Sequence, residues 1–182
     1  MKRILPLFLV FLMGCSGPDP AMEEALALRS RCLASSCVRF QTEVRADYIT
    51  GYEEFTLDCE TGSDGTVSFC VRSPAEITDI SGTVSQDAGT VEFDGAVLAY
   101  PLMAQGRLSP LSGPWVVMKA IRSGCILAAG QEGELTRVTI DDSYGANALT
   151  VDLWLEDGQV TQAEVAWEGL RCLTMTFDDF SA

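Results

Sequence analysis

The sequence contains no histidine among its 182 residues. Without histidine there can be no Ser-His or Cys-His nucleophile pair, and the commonest zinc ligand is missing. The chain also lacks a C-x-x-C pair, a glycine-rich phosphate loop and the G-x-S-x-G and H-E-x-x-H motifs. The sequence therefore predicts a protein that is not an enzyme and that holds no metal and no cofactor.

Basic residues are scarce as well. The chain has 12 Lys and Arg against 26 Asp and Glu, which gives a formal net charge of −14. Such a surface repels nucleic acid and anionic lipid headgroups, so we expect no nucleic-acid partner. If the protein works at a membrane, an anchor must hold it there.

The N-terminus predicts such an anchor. Lys2 and Arg3 precede the apolar run Ile4–Phe11, which is too short to span a bilayer. A cationic head, an apolar core and a small residue before a cleavage point are typical of a secretion signal. The next residues, Leu12-Met13-Gly14-Cys15, resemble a bacterial lipobox. The alternative is an ordinary signal peptide that contains a cysteine by chance.

The lipobox resemblance implies that Cys15 is acylated, with palmitate for example, and becomes the mature N-terminus. We expect a signal peptide at 1–14, a lipidated tether at 15–20 and a single domain at 21–182. Lys2 and Arg3 leave with the signal, so ten basic residues face the same 26 acidic ones and the net charge becomes −16. The expected location is the extracytoplasmic face of the cell membrane.

Six further cysteines predict disulfides, because an even number in an exported chain usually forms them. Cys59 and Cys70 fall on opposite faces of their strands, which argues against that pair. The other pairings stay open, and a zinc site fits these spacings poorly. The six residues are Cys32, Cys37, Cys59, Cys70, Cys125 and Cys172.

The hydrophobic periodicity predicts the fold. A helix is expected at about 21–34, with an apolar face that Arg29 interrupts and that consists of Met22, Ala25, Leu26, Cys32 and Leu33. Another is expected from Ser112 to Gly124, where Pro114 and Gly124 suit its two ends. Strands with alternating apolar and polar residues occupy most of the rest. One of them is expected to contain Ile77, Ile80 and Val84, with a bulge or bend at Gly82. We expect the class α+β: a single strongly curved antiparallel sheet of about ten strands, an unclosed half-barrel, with the N-terminal helix and the second helix on its concave face.

This pattern is similar to that of LolA and its relatives, and it is most similar to the GerS-like lipoproteins of spore-forming bacteria. The resemblance implies an unclosed β-barrel with helices in its mouth. Members of this group carry lipids or lipoproteins, and the GerS-like branch binds and supports a cell-wall amidase. The resemblance covers nearly the whole mature chain. It is carried by the following segments: Phe40-x-Thr42-x-Val44-x-Ala46-Asp47-Tyr48, Phe69-x-Val71-x-x-Pro74-x-x-Ile77-x-x-Ile80, Leu108-Ser109-Pro110, Pro114-Trp115, Asp142-Ser143-Tyr144, Leu153-Trp154-Leu155, Ala163-Glu164-Val165-x-Trp167, Gly169-x-Arg171 and Asp179-Phe180.

Acidic pairs at Glu53-Glu54, Asp141-Asp142 and Asp178-Asp179 are interpreted as solvated turns. Neighbouring strand residues point to opposite faces, so such pairs do not form a glycosidase site. The segment from Asp141 to Asn147 has alternating oxygen ligands and could suggest calcium, but it lacks the spaced bidentate glutamate.

The predicted inward apolar residues allow two interpretations. They form either a core filled by the second helix, which we favour because native packing is dense, or a cavity for acyl chains with that helix as a lid. The set is Phe40, Val44, Tyr48, Phe55, Leu57, Phe69, Val71, Ile77, Ile80, Phe93, Leu153, Leu155, Val165 and Met175.

We therefore expect a non-catalytic, membrane-anchored lipoprotein that binds a protein partner of the cell envelope. The alternative is a carrier of lipid or acylated protein in a hydrophobic cavity, and a third hypothesis is a cell-wall hydrolase. Trp115 and Trp154 are the expected exposed aromatic residues for a contact. The candidate partner or ligand residues are Trp115, Trp154, Tyr48, Phe40 and Phe69, in addition to lipidation at Cys15.

Overall fold

A computed structural model describes residues 19–48, 51–86, 88–101, 103–104, 107–143 and 148–182. The lipidation site Cys15 and residues 144–147 of the calcium candidate lie outside these ranges. The helices are α1 (Pro20–Ala34) and α2 (Gly113–Ser123), with short 3₁₀ helices at Ala75–Ile77 and Pro110–Ser112. The strands are β1 (Val38–Tyr48), β2 (Gly51–Thr61), β3 (Val67–Ser73), β4 (Ser81–Val84), β5 (Gly89–Phe93), β6 (Ala96–Tyr100), β7 (Met103–Ala104), β8 (Arg107–Leu108), β9 (Cys125–Glu132), β10 (Leu135–Asp141), β11 (Leu149–Glu156), β12 (Gln159–Trp167) and β13 (Leu170–Ser181).

The described strands form one large antiparallel sheet and one small ribbon. Eleven strands pair in the order β6-β5-β4-β3-β2-β1-β13-β12-β11-β10-β9, and β7 pairs with β8. The large sheet does not close, because β6 and β9 are its two edges and do not meet. The predicted half-barrel with two helices is therefore confirmed.

Strand β1 shows why the sequence folds in this way. Every second residue from Val38 to Ala46 is buried, and the residues between them are exposed. The same alternation occurs in β3, whose inward residues include Val67, Phe69 and Val71. This period of two puts apolar side chains on the concave face and polar ones on the convex face.

Asp19 is the N-cap of helix α1, and its side chain accepts a hydrogen bond from the Ala21 N–H at 3.0 Å. Its buried residues are Ala21, Ala25, Leu28 and Cys32, a regular stripe along one face. The predicted inward positions of Leu26 and Leu33 are wrong, because these residues are 50% and 55% exposed. The buried face of α1 is instead the face that contains Leu28.

Two strand glycines make room for aromatic rings. A Cβ on Gly82 would lie 2.6 Å from Cζ of Phe69, and a Cβ on Gly89 would lie 2.1 Å from Cζ of Tyr100. The register through β4 is regular, with Gly82 between Phe69 and Val91, so the predicted bulge at Gly82 is wrong. Glycine is needed there because the Phe69 ring and the Thr90 carbonyl oxygen both lie where a Cβ would be.

Two further expectations need correction, and one strand was missed. Ile77 lies in a 3₁₀ helix and not in a strand. Phe93 has the predicted inward phase, but it is 60% exposed because the sheet extends past the helices at that edge. Strand β9 was not predicted at all. Neither described helix has the length and apolarity needed to cross a membrane.

Candidate functional site

Helix α2 fills the concave face of the sheet. Its residues Gly113 to Met118, with Ala120 and Ile121, are all buried. Gly113 lies so close to the sheet that an added Cβ would be 3.1 Å from both the Leu173 Cδ1 and the Met175 Sδ. The structure therefore supports the filled core over a large cavity beneath the helix.

Two of the aromatic ligand candidates belong to this core. Phe40 is 4% and Phe69 is 3% exposed. The Phe40 ring lies 5.4 Å from that of Phe177 and 5.5 Å from that of Phe180, distances typical of packed aromatic clusters. Tyr48, at the end of β1, is partly buried against the same core. The structure brings Phe40 and Phe69 together, with Cys59, at a cavity of about 500 Å³ along β1, β2 and β3.

The two tryptophan candidates are less exposed than expected. Trp115 is only 6% exposed, because α2 presses its first turn into the sheet. Trp154 is partly buried on the convex face, where the guanidinium of Arg137 lies 5.3 Å from its ring centroid. The prediction of two freely exposed tryptophans is therefore wrong for Trp115, and Trp154 is shielded by a charged neighbour.

A cavity of about 460 Å³ opens at the rim of the concave face, where four separate segments meet. We call it the mouth pocket. Its apolar part comes from Leu33 at the end of α1 and from Trp115 and Met118 of α2. The remaining lining residues are mostly polar: Ser63, Asp64, Gly65, Thr66, Ser85, Gln86, Lys119, Arg122 and Ser123.

Two cations of α2 line the mouth pocket. The Lys119 Nζ lies 2.9 Å from the Asp142 Oδ2 and 5.4 Å from the Trp115 ring centroid. Arg122 donates from Nη1 to the Gly62 carbonyl oxygen at 2.9 Å. Among the described residues no carboxylate forms a salt bridge with Arg122. Its charge is therefore available to an anionic group in the pocket.

One carboxylate, Asp64, also lines the pocket. It accepts hydrogen bonds from the Thr66 backbone N–H and hydroxyl, both at 3.0 Å. The backbone bond, the hydroxyl bond and the more distant Arg122 charge hold the pKa of Asp64 below its usual value. Asp64 is thus fixed within its own turn and leaves the Arg122 guanidinium unbridged.

The mouth pocket was not predicted from the sequence. Its lining comes from the end of α1, the turn after β2, the turn after β4 and one side of α2, which are distant in the chain. The one local indication was the spacing of Lys119 and Arg122, which lie three residues apart in an otherwise apolar helix and so share a side.

Asp142 was expected in a solvated turn, and this is wrong. Its side chain is 8% exposed and forms the ion pair with Lys119. Its Oδ1 also accepts a hydrogen bond from the Leu149 N–H at 2.7 Å. Among the described residues, no group of three acidic, cysteine or histidine side chains could hold a metal ion.

The six cysteines Cys32, Cys37, Cys59, Cys70, Cys125 and Cys172 are all free thiols. The expectation of disulfides is wrong for this structure, whereas the opposite faces of Cys59 and Cys70 are confirmed. Cys59 is 5% exposed on the core side, opposite Phe40, and Cys70 lies opposite the outward Asp58. Cys125 and Cys172 lie on β9 and β13, which are separated by three strands in the sheet order. Burial raises the pKa of the Cys32 thiol to about 11, which lowers its reactivity.

No protein-family model matches the chain, and a search among curated proteins finds no match. Solved structures to which this chain is remotely similar include the following three. A LolA superfamily protein from Nitrosomonas europaea is 8% identical, with a TM-score of 0.48, 88% of this chain covered and 92% of that one. A putative outer membrane lipoprotein-sorting protein domain from Vibrio parahaemolyticus is also 8% identical, with a TM-score of 0.48 and coverage of 88% and 91%.

The lipoprotein LppX from Mycobacterium tuberculosis is 9% identical, with a TM-score of 0.41, 88% of this chain covered and 92% of that one. Similarities this low identify neither a ligand nor a partner for this chain. The narrower resemblance to GerS-like lipoproteins stays a prediction.

Proposed function

We propose that this protein is a non-catalytic carrier that holds an amphiphile, with one acyl chain and an anionic head, in the mouth pocket. The observation that carries the proposal is the composition of that pocket. Leu33, Trp115 and Met118 supply an apolar wall, and Arg122 supplies a charge that no described carboxylate bridges. Ligand pockets combine these two kinds of surface, and a volume of about 460 Å³ is within their usual range.

The negative charge of the whole chain restricts where an anionic head group can bind. At a net charge of −14, most of the surface repels an anionic head. A cation placed beside an apolar wall therefore marks the place where such a head can bind. The acyl chain would lie against Leu33, which is 55% exposed and would lose that exposure to water on binding.

The proposed location is the extracytoplasmic face of a membrane, through acylated Cys15. Stable anchoring needs more than one acyl chain, which a multiply acylated lipoprotein cysteine provides. Five residues lead from Cys15 to Pro20, where α1 begins, and they span at most about 18 Å when extended. The folded domain would therefore stay close to the membrane, which is the source of its ligand.

The test is a titration of the purified full chain with palmitate, followed by native mass spectrometry and tryptophan fluorescence. Leu33→Ser should weaken palmitate binding about tenfold, the effect of losing one buried leucine contact. Leu26→Ser is the matched control, because Leu26 is an equally exposed leucine of α1 that does not line the pocket.

A second pair of variants tests the head group. Arg122→Gln should weaken the binding of palmitate but not that of hexadecanol, which has the same chain and no charge. Arg171→Gln is the control, because Arg171 is an exposed arginine paired with Glu164 at 3.0 Å on the outer surface. If palmitate does not bind, or if Leu33→Ser and Leu26→Ser have equal effects, the carrier proposal is wrong.

A second candidate function is the binding of a protein partner at the cell envelope, with the support of a cell-wall amidase as its narrowest form. The specific observation in its favour is the hairpin of β5 and β6. Phe93, Val97 and Leu98 of this hairpin are 60%, 62% and 68% exposed. Large apolar residues clustered in this way are typical of interaction surfaces. Trp154, beneath Arg137, remains the candidate contact on the convex face.

A further inference from the structure

Strand β6 is an edge of the sheet whose backbone is available for pairing. It follows β5 through the two-residue turn Asp94-Gly95, in which φ is 47° and 76°. Positive φ at both residues defines a type I′ turn, so the flanking pair Phe93 and Ala96 is hydrogen-bonded. Counting from that pair, Val97 and Ala99 direct their N–H and C=O groups away from β5. No described strand pairs with this side of β6.

The large side chains of β6 are apolar on both faces. Leu98 shares the concave face with Phe69, because the register joins Phe69, Gly82, Val91 and Leu98 across four strands. Val97 lies on the convex face, opposite Glu92. The apolar character on both faces is therefore that of β6 itself, since β5 carries Thr90 and Glu92 on the convex face. Natural edge strands are usually protected by charges, prolines or a covering element. Strand β6 has no charged residue, and Pro101 follows only after its end.

The turn end of the hairpin is acidic. Asp79, Glu92 and Asp94 line a depression of about 410 Å³ together with Phe93. One cation, Arg72, lies 3.6 Å from Asp79, and it also pairs with Asp58 at 2.6 Å. The carboxylates of Glu92 and Asp94 form no salt bridge with any described residue. The edge is therefore apolar along its length and negative at one end.

We propose that β6 docks an extended polypeptide segment of a partner by strand addition. The segment has apolar residues at alternate positions and a Lys or Arg that meets Glu92 and Asp94 at the turn end. Main-chain hydrogen bonds to Val97 and Ala99 hold the segment against β6. The apolar side chains and the terminal cation of the segment determine which sequences bind. This inference rests on the second candidate function above and is independent of the mouth pocket.

The charge pattern argues for a different chain and against a second copy. The hairpin from Gly89 to Pro101 contains no Lys and no Arg. A second copy paired through the same strand would bring no cation to Glu92 and Asp94. It would also bring a second net charge of −14 close to the first.

Synthetic peptides of eight residues, alternating valine and threonine, test this inference. One peptide ends in two arginines and the other in two aspartates, and binding to the full chain is measured by fluorescence anisotropy. The arginine peptide should bind at least about fivefold more tightly, as expected for surface charge pairs. It should also slow hydrogen exchange at the amides of Val97 and Ala99.

Matched variants test the edge and the charge separately. Val97→Lys should abolish binding of the arginine peptide, whereas Leu170→Lys, at an apolar residue that is 70% exposed outside the hairpin, should not. Asp94→Asn should reduce the preference for arginine while keeping the turn, because Asn-Gly also favours type I′. Asp157→Asn is its control, since Asp157 and Gly158 form a turn with positive φ values of 50° and 77°, close to those of Asp94 and Gly95.

The inference is overturned if neither peptide binds, if both bind equally, or if Asp157→Asn acts like Asp94→Asn. It is also overturned if light scattering shows a concentration-dependent dimer that Val97→Lys dissociates, because the edge would then belong to a second copy. A palmitate titration of Val97→Lys keeps the two proposals apart. Normal palmitate binding with loss of peptide binding supports two separate sites.

Discussion

The guanidinium of Arg29 in α1 closes the C-terminal end of α2. Its Nε donates to the Ile121 carbonyl oxygen at 2.6 Å, and its Nη2 donates to the Gly124 carbonyl oxygen at 2.7 Å. The last carbonyls of a helix have no partner within the helix and carry partial negative charge. Arg29 satisfies them from a neighbouring element and so fixes α1, with Leu33 at its end, beside α2.

Replacing Arg29 with methionine should lower the free energy of unfolding by about 2 kcal/mol, because charged hydrogen bonds to buried carbonyls are lost while the aliphatic stem is kept. Urea denaturation measures the change. Arg171→Met is the control, because the exposed pair of Arg171 and Glu164 should contribute at most about 1 kcal/mol. Equal losses in the two variants would contradict the role of Arg29.

The ion pair of Lys119 and Asp142 should be worth more than the surface pairs. Asp142 is 8% exposed, whereas Arg39 and Glu60 of a surface pair are 70% and 53% exposed. Asp142→Asn leaves the half-buried Lys119 without its charge partner and should cost about 2 kcal/mol. Glu60→Gln should cost clearly less, because solvent screens this exposed pair. Thermal unfolding at low and high salt compares them, and a larger effect at Glu60 would refute this ranking.

Gly82→Ala should destabilise the protein by about 2 kcal/mol, since overpacking forces the neighbours to move. The new methyl group would lie 2.1 Å from the Thr90 carbonyl oxygen and 2.6 Å from the Phe69 ring. Gly130→Ala is the matched control, because Gly130 is also a strand glycine but has no atom within 4 Å of the added Cβ. That control should be neutral or slightly stabilising. Comparable denaturation midpoints for the two variants would disprove the packing argument.

The stability should fall at alkaline pH. Burial raises the pKa of the Cys32 thiol from 9.0 to about 11, so the unfolded chain loses this proton first as the pH rises. The stabilisation that neutral Cys32 gives the folded state is at most about 3 kcal/mol. It is fully present below pH 9.0 and is lost as the pH rises through about 11. Burial also raises the pKa of Tyr100 to about 12, which extends the decline.

Cys32→Ala isolates this effect. The variant should be less stable at neutral pH because of the lost side chain, yet its stability should fall less steeply between pH 9 and 11. Denaturant titrations at several pH values give both slopes. Parallel slopes in the variant and the parent protein would show that Cys32 does not titrate in this window.

Sequence patterns predicted those helices and strands whose structure depends on residues close together in the chain. The alternation from Val38 to Ala46 and the start of α2 near Pro114 both agree with the structure. Strand β9 was missed because its burial does not alternate: Ile126 is partly buried, Leu127 is 55% exposed, and two alanines follow. Arg29 was interpreted as an interruption of the apolar face of α1. Its role could not be predicted locally, because its hydrogen-bond partners on α2 lie about 90 residues further along the chain.

The mouth pocket and the exposed edge strand depend on tertiary structure. The phase of Phe93 was predicted correctly, but periodicity could not show that the helices stop short of β5. In the same way, Leu33 was assigned to the core, although it lies beside Arg122 in the pocket lining. Both sites are formed where the helical cover of the sheet ends, and no single segment of sequence encodes that boundary.

The two glycines beneath aromatic rings restrict how this chain can diverge. A side chain at position 82 competes for space with Phe69, and one at position 89 competes with Tyr100. In homologous sequences, position 82 should therefore stay glycine whatever stands at 69, because the Thr90 backbone oxygen also occupies the place of a Cβ. At position 89 the nearest atoms all belong to the Tyr100 side chain, so this residue should change together with a smaller residue at 100, and that coupling would leave an evolutionary record of the contact.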